Sequence, residues 1–143
     1  MIYFDSSALV KRYIEEEGSD KVNALLEERS IAVASRLAYP EILAALTRRH
    51  KAEDIETPAF VRIKKAFKAD WASLTVVEMR TEVFHFVDAV IDRHALKGAD
   101  SIHLSTALWL KETMKEDILF VSSDLELLKA ATAEKLRILN PQL

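Results

Sequence analysis

Five short stretches of β-branched and aromatic residues constrain the fold of this chain more than any other feature of its sequence. They are nearly all apolar, and each is separated from the next by enough residues to form at least one helix. This alternation indicates an α/β fold in which a parallel sheet is covered by helices on both faces. The predicted strands are residues 1–4, 31–34, 74–77, 118–121 and 137–139.

Apolar residues at helical spacing fill the segments between these strands. Residues 37–72 are predicted to hold two helices, the first ending near Lys51 and the second beginning at Thr57 as N-cap, with Pro58 as its first helical residue. Residues 80–94 and 99–114 are predicted as two further helices. Because the chain has two glycines, three prolines and no low-complexity tract, we expect residues 1–143 to form a single domain.

The composition disfavours several classes of protein. Cysteine is absent, which excludes disulfides, thiolate zinc sites and cysteine nucleophiles and suits a reducing compartment. No apolar run approaches the roughly 20 residues that span a bilayer, and the first residues do not resemble a secretory signal. We therefore expect a cytoplasmic protein outside the membrane. The net charge of -3 argues against a broad basic face, although two bound divalent cations would bring it to about +1.

Four acidic residues lie where predicted strands end or predicted helices begin. Asp5 follows the first strand directly, and Asp124 follows the fourth strand after two serines. Glu41 lies early in the helix after the second strand, and Asp100 opens the helix that begins after Gly98. The carboxyl ends of parallel strands meet at one edge of a sheet, where open α/β sheets bind ligands. We therefore expect the four carboxylates to lie at this edge.

Each acid also has a purely structural explanation. Asp5 can cap the helix that follows it, while Glu41 and Asp100 can be first-turn acids favoured by the helix dipole. Asp124 lies inside residues 123–126, which have the pattern of a capping box. Taken singly, each acid is explained more readily in this way, so the functional interpretation rests on the four together.

Clustered carboxylates constrain the chemistry because like charges a few ångströms apart do not all stay ionised without a cation. Mg²⁺ and Mn²⁺ prefer oxygen ligands, and one or two such ions can orient and deprotonate water and stabilise an oxyanion leaving group. This chemistry hydrolyses phosphodiesters without a histidine base, a serine nucleophile or an organic cofactor.

The segments around the four acids are similar to the motifs of VapC-type toxins of the PIN-domain family. They read YFDSSALVK at 3–11, PEILAAL at 40–46, GADSIHLSTAL at 98–108 and FVSSD at 120–124, and the chain closes on RILNP at 137–141. The motifs stand in the family's order, and the resemblance covers essentially the whole chain. One departure is Lys135, where relatives often have a glycine before the last strand.

The resemblance implies a three-layer PIN-like fold with strand order 3-2-1-4-5 and a switch point between the first and fourth strands. It implies that Asp5 and Asp100 are metal ligands, that Glu41 helps to bind metal or activate water, and that Asp124 completes a second metal position. These four residues would thus be both catalytic and metal-binding, with one or two Mg²⁺ or Mn²⁺ ions as cofactor.

Two serines match supporting positions of the family pattern. Ser122 lies two residues before the last acid, where a small hydroxyl residue would hydrogen-bond within the site. Ser7, two residues after the first acid, is a weaker candidate for the same role.

Family members usually cleave RNA and are silenced by a cognate antitoxin that inserts a peptide into the active-site groove. The resemblance therefore implies an endoribonuclease toxin with an RNA substrate, a VapB-like antitoxin partner and a homodimeric state. Among the basic residues, Lys11, Arg12 and Arg48 are candidates for contacts with RNA phosphates, although solvated helix ends explain them equally well.

His103 and three aromatic residues have more than one interpretation. His103 lies three residues after Asp100 on roughly the same helix face, which allows a ligand role. We favour a packed, hydrogen-bonded histidine, because the carboxylates already satisfy a hard metal. The spacing of Phe60, Phe67 and Trp71 is compatible with one apolar stripe, which we assign first to the core, with a dimer surface or an antitoxin groove as alternatives.

Other functions for acids at strand ends fit the sequence less well. A haloacid-dehalogenase-like phosphatase needs a second Asp where Ser7 stands, and a receiver domain needs an Asp and a Lys near the places that Glu78 and Asn140 occupy. The alternative that we retain is a non-catalytic PIN-fold module that binds RNA or an antitoxin. A protein whose four acids are unrelated helix caps is ranked last.

Overall fold

The computed structural model describes residues 1–143 and contains the five predicted strands, each within one residue of its predicted boundaries. The strands are β1 Ile2–Phe4, β2 Ala32–Ser35, β3 Thr75–Val77, β4 Leu119–Val121 and β5 Arg137–Leu139. The helices are α1 Ser6–Leu9, α2 Ser19–Glu27, α3 Ala38–Lys51, α4 Thr57–Trp71, α5 Thr81–Phe84, α6 Val87–His94, α7 Gly98–Met114 and α8 Leu125–Ala133, and a 3-10 helix at Val10–Arg12 continues α1.

The five strands form one parallel sheet in the order β3-β2-β1-β4-β5. In the central strand β1, Ile2 pairs with Ala32 of β2 on one side and with Leu119 of β4 on the other. The predicted strand order is confirmed. Strands β2 and β3 lie on one side of β1, and β4 and β5 lie on the other, so the switch point of the sheet is between β1 and β4. The residues after these two strands therefore emerge side by side at the carboxyl edge.

Two hydrophobic cores lie on the two faces of the sheet. Ile2 and Phe4 point into a core closed by α1 to α4, whereas Tyr3 points into a second core closed by α5 to α8. Successive residues of a strand face opposite sides, so this short apolar strand contributes to both cores. Phe67 and Trp71 are buried in the first core, which confirms the core assignment for that part of the stripe.

Two local predictions were wrong. Residues 80–94 form two helices, because the Phe86 N–H donates to the carbonyl of Val83, three residues back, and this tighter turn separates α5 from α6. Glu56, rather than Thr57, is the N-cap of α4. The first N–H groups of a helix have no partner within it, so Pro58 fits the second helical position as well as the first and does not fix the boundary. No helix is both long and apolar enough to cross a membrane.

Candidate active site

Asp5 lies at the carboxyl end of β1 and is 3% exposed. Its Oδ1 accepts a hydrogen bond from the Ala8 N–H at 3.0 Å, so it is the N-cap of α1, as its structural explanation predicted. Two hydroxyls also donate to this carboxylate, Ser122 to Oδ2 at 2.6 Å and Ser7 to Oδ1 at 2.8 Å. A buried carboxylate with three donors has a fixed orientation.

The two serines bring the ends of β1 and β4 together. Ser122 Oγ accepts from the Asp124 N–H at 3.0 Å while it donates to Asp5, and Ser7 Oγ accepts from the Ser123 N–H at 2.9 Å. The prediction that Ser122 hydrogen-bonds within the site is confirmed, and Ser7 does the same. Each hydroxyl donates to the carboxylate and accepts from a backbone N–H of the loop that follows β4.

Asp124 and Asp100 begin the helices that flank this edge. Asp124 is the N-cap of α8 and accepts from the Leu127 N–H at 3.0 Å. The predicted capping box over residues 123–126 therefore has its cap one residue later than the pattern suggested. Asp100 lies in the first turn of α7 and is partly exposed.

Glu41 lies in the first turn of α3 and is held by two side chains from other elements. Ser6 Oγ donates to Glu41 Oε1 at 2.6 Å, and His103 Nε2 lies 2.7 Å from the same oxygen. The other ring nitrogen of His103 lies 2.7 Å from the hydroxyl of Tyr3. His103 is thus a packed, hydrogen-bonded histidine, as favoured from the sequence.

Ser6 and Tyr3 were missed as members of the site. Tyr3 carried a signal, because a tyrosine inside a short apolar strand needs a partner for its hydroxyl. That partner lies 100 residues away in the sequence, and no local pattern indicates it.

The pKa values show that three of the acids lie within electrostatic reach of one another. Burial, and then the negative charges of Asp124 and Asp5, raise the pKa of Asp100. Burial also raises the pKa of Asp5, although the neighbouring His103 and the hydrogen bonds described above act in the opposite direction. Burial alone would raise the pKa of Glu41, but the hydrogen bonds from His103 and Ser6 outweigh it and lower this pKa. Asp5, Asp100 and Asp124 thus form a cluster with an excess of negative charge.

No group of three or more Asp, Glu or His side chains is placed so that it could hold a metal ion. The donor chemistry nevertheless suits a hard divalent cation, since the cluster consists of carboxylate oxygens that repel one another. Mg²⁺ keeps several of its waters and binds proteins through one or two carboxylates, so it does not need a closed cage. The residues at this edge therefore fit a hydrated ion.

Of the basic residues predicted to contact RNA, Lys11 is buried in an ion pair, and the other two lie away from the carboxylates. Lys11 is 3% exposed and its Nζ is 2.9 Å from Glu16 Oε1, so the prediction that it binds phosphate was wrong. Arg12 lines a cavity of about 460 Å³ together with Ala32 and Thr75, the first residues of β2 and β3. This cavity is therefore at the edge of the sheet opposite the carboxylates, which contradicts a role for Arg12 at the site.

Arg48 is exposed and forms no ion pair. It lies seven residues after Glu41 on α3, about 10 Å along the helix axis. Its contact with RNA stays a prediction.

No protein-family model matches the chain. A curated relative is Ribonuclease VapC45 of Mycobacterium tuberculosis, which is 36% identical over 108 residues that span 76% of this chain and 75% of that protein. The chain belongs to the VapC family. The resemblance inferred from the four motifs is confirmed by this match.

Solved structures share the fold of this VapC-family chain at low sequence identity. FitAcB from Neisseria gonorrhoeae superposes with a TM-score of 0.73 at 13% identity, covering 99% of this chain and 98% of that one. A toxin-antitoxin complex from Klebsiella pneumoniae gives a TM-score of 0.68 at 11% identity, with the same two coverages. These likenesses extend along the whole chain and show that it shares the fold of these two proteins.

Proposed function

We propose that this chain is a Mg²⁺- or Mn²⁺-dependent endoribonuclease and the toxin of a toxin–antitoxin pair. The observation that carries the proposal is the cluster of Asp5, Asp100 and Asp124 at the carboxyl edge of the sheet, where the charges of the other two raise the pKa of Asp100. The name of the curated relative supports the ribonuclease activity, and the complex from Klebsiella pneumoniae supports the toxin role.

We assign Asp5, Asp100, Asp124 and Glu41 as the residues that would hold one or two ions. When bound, such an ion activates water and stabilises the departing oxyanion. The chain's own residues prepare the edge for this chemistry. Three donors fix the orientation of Asp5, and the lowered pKa of Glu41 keeps it ionised at neutral pH, so that Oε2, which has no hydrogen bond within the protein, can accept one from water.

The proposed partners are an RNA substrate, a VapB-like antitoxin peptide and a second copy of the chain. Leu125 follows Asp124 directly and is 68% exposed, which offers a peptide an apolar contact beside the site. Met79 and Phe84 are further exposed apolar side chains, close together in sequence after β3. Exposed apolar residues of this kind are often covered by another protein chain, here the proposed second copy. Light scattering would test the dimer, and a monomer at micromolar concentration would contradict it.

The decisive experiment is cleavage of total cellular RNA by the purified protein with Mg²⁺, with Mn²⁺ and with EDTA. Asp100→Asn is the test variant. Asp92→Asn is its matched control, because Asp92 is an exposed acid on α6 that forms no hydrogen bond or ion pair with the cluster. We expect discrete fragments that require metal, persist in the control and disappear in Asp100→Asn. Cleavage that survives EDTA would contradict the metal-dependent mechanism.

A second candidate function is a non-catalytic module that binds RNA or an antitoxin. The observation that favours it is the absence of any group of three or more side chains placed to hold a metal ion. Under this alternative the protein binds RNA, shows no Mn²⁺ binding by calorimetry and leaves the RNA intact. Mn²⁺ binding that Asp100→Asn abolishes would exclude it.

A further inference from the structure

His103 connects the buried strand β1 to Glu41. It lies on α7, is 2% exposed, and has both ring nitrogens within hydrogen-bond distance of a partner, Nδ1 with Tyr3 Oη and Nε2 with Glu41 Oε1, each at 2.7 Å. Tyr3 itself is fully buried and stacks on Phe120 with ring centroids 5.3 Å apart. The tyrosine that hydrogen-bonds to His103 is therefore itself held in place by a stacked aromatic contact.

The chemistry of the three groups sets the direction of the hydrogen bonds. An ionised carboxylate only accepts, so His103 Nε2 carries the hydrogen and donates to Glu41. In the neutral ring Nδ1 is then an acceptor, and the hydroxyl of Tyr3 donates to it. The tyrosine hydroxyl thus stabilises the tautomer that presents a donor to Glu41.

We propose that Tyr3 and His103 are positioning residues that fix the carboxylate of Glu41 for the reaction. Both donors to Glu41, from Ser6 and His103, use Oε1, and no hydrogen bond within the protein uses Oε2. The carboxylate is therefore held by one oxygen, and the other remains for water or a metal ion. This inference rests on the proposed function, because it assumes that Glu41 takes part in the site.

A purely structural role for the same contacts makes a different prediction. In that case removal of the Tyr3 hydroxyl would lower the stability of the fold and leave the affinity for metal and the turnover number unchanged. Hydrogen-bond partners of ligating groups instead change metal affinity or activity by about 10- to 100-fold when removed.

The test compares Tyr3→Phe with Tyr13→Phe. Tyr13 offers a matched control, because its hydroxyl donates to Asp70 at 2.9 Å on the other face of the sheet. We expect Tyr3→Phe to weaken Mn²⁺ binding, measured by calorimetry, and to lower kcat by about tenfold or more with little change in KM, whereas Tyr13→Phe changes neither. His103→Gln retains an N–H for Glu41 and should keep more of both properties than His103→Ala.

Nitrogen NMR of His103 adds a readout that does not depend on activity. We expect the tautomer with hydrogen on Nε2 in the wild type and a mixture in Tyr3→Phe. If Tyr3→Phe matches Tyr13→Phe in Mn²⁺ affinity and kcat, the positioning role is overturned while the nuclease stands. If the wild type neither binds Mn²⁺ nor cleaves RNA, the proposed function fails and the positioning role fails with it.

An independent observation concerns the exposed side of α4. Val61, Lys64, Lys65 and Lys68 lie on one face of this helix and, with Phe60, line a shallow cavity of about 420 Å³. None of the three lysines forms an ion pair, in contrast to most of the arginines of the chain. Lys64 and Lys68 repel each other at i,i+4 spacing without a compensating acid.

The end of this helix packs against the first turn of α3, which carries Glu41. Phe67 and Trp71, near its end, pack against Tyr39, two residues before Glu41. We infer that this face, defined by Lys64, Lys65 and Lys68, binds the phosphate backbone of the RNA that extends beyond the cleaved bond. A polyanion is the partner that the charge of this face fits. This inference too rests on the proposed function.

The test replaces the three lysines by glutamine and measures binding of single-stranded RNA over a range of salt concentrations. A control variant replaces the exposed Lys21, Lys115 and Lys129 in the same way. We expect the α4 variant to bind at least about tenfold more weakly, with a salt slope smaller by up to about 2, since each single-strand phosphate contact contributes about 0.7. A wild type that cleaves RNA, beside an α4 variant with unchanged affinity and slope, would overturn this inference alone. An effect confined to antitoxin binding would overturn it as well.

Discussion

Replacing Lys135 by glycine should stabilise the protein. Lys135 follows α8 and has a φ of 66°, in the left-handed region. Its N–H donates to Thr132 and the Leu136 N–H donates to Ala131, the pair of bonds that closes a helix around a left-handed residue. Glycine is the usual residue at this position, which accounts for the glycine that relatives often have there.

The size of the effect follows from two opposing terms. A residue with a Cβ carries about 1–2 kcal/mol of steric cost in the left-handed conformation. Glycine avoids this cost but loses about 0.5–1 kcal/mol more backbone freedom on folding. We expect a net gain of about 0.5–1 kcal/mol, or about 2–3 °C in Tm for a domain of this size. The hydrogen bond that Lys111 donates to the carbonyl of residue 135 is unaffected, because it uses the backbone.

Urea unfolding followed by circular dichroism measures this gain as a higher midpoint at unchanged m-value. Lys135→Ala keeps the Cβ and should gain nothing. Lys129→Gly, inside α8, should lose about 1 kcal/mol. If Lys135→Gly is no more stable than Lys135→Ala, the argument from backbone conformation is wrong.

Three further predictions concern the site and the turn at Gly18. The pKa of Asp100 is raised in the folded protein, so its ionised form lowers stability above that pKa, and this cost disappears as the pH falls through it. In EDTA at pH 7, Asp100→Asn should therefore be more stable than the wild type by about 0.5–1 kcal/mol. Urea titrations should show this difference closing toward pH 4. Asp124→Asn keeps an acceptor for the Leu127 N–H, so its free energy of unfolding should stay within about 0.5 kcal/mol of the wild type, whereas Asp124→Ala should lose about 1 kcal/mol. Both variants should lose activity. An equal loss of stability in the two variants would contradict the capping role. Gly18→Ala should lower the stability measured by thermal unfolding by about 1–2 kcal/mol or more, because φ is 95° and the new Cβ would lie 3.0 Å from the Pro141 carbonyl. An unchanged stability would show that this contact relaxes freely.

The sheet and the placement of the acids were predictable from the sequence because both depend on local patterns. Each strand is a short apolar run, and Asp5 and Asp124 follow two of them directly. Once the strands are parallel, residues after their carboxyl ends must meet at one edge. The family resemblance carried by the four motifs added the order of the strands.

The sequence did not predict contacts that depend on the path of the chain in three dimensions. Lys11 was a candidate for a phosphate contact, and both that role and a solvated helix end require an exposed side chain, as lysines usually have. In the structure its stem is enclosed and its charge meets Glu16, which also receives a hydrogen bond from Arg49 at 3.1 Å. The bond between Tyr3 and His103 likewise joins residues that only the packing of α7 on the sheet brings together.

Under the proposed function, the helix caps formed by Asp5 and Asp124 separate folding from metal binding. Each carboxylate accepts a backbone N–H at 3.0 Å from within the protein, so the start of each helix is complete before any ion arrives. Small zinc domains behave differently, since their ligands have no structural partner until the metal binds and chelators unfold them. If the proposed metal dependence holds, a chelator would inhibit this protein reversibly without unfolding it, and activity would return as soon as the ion is added back.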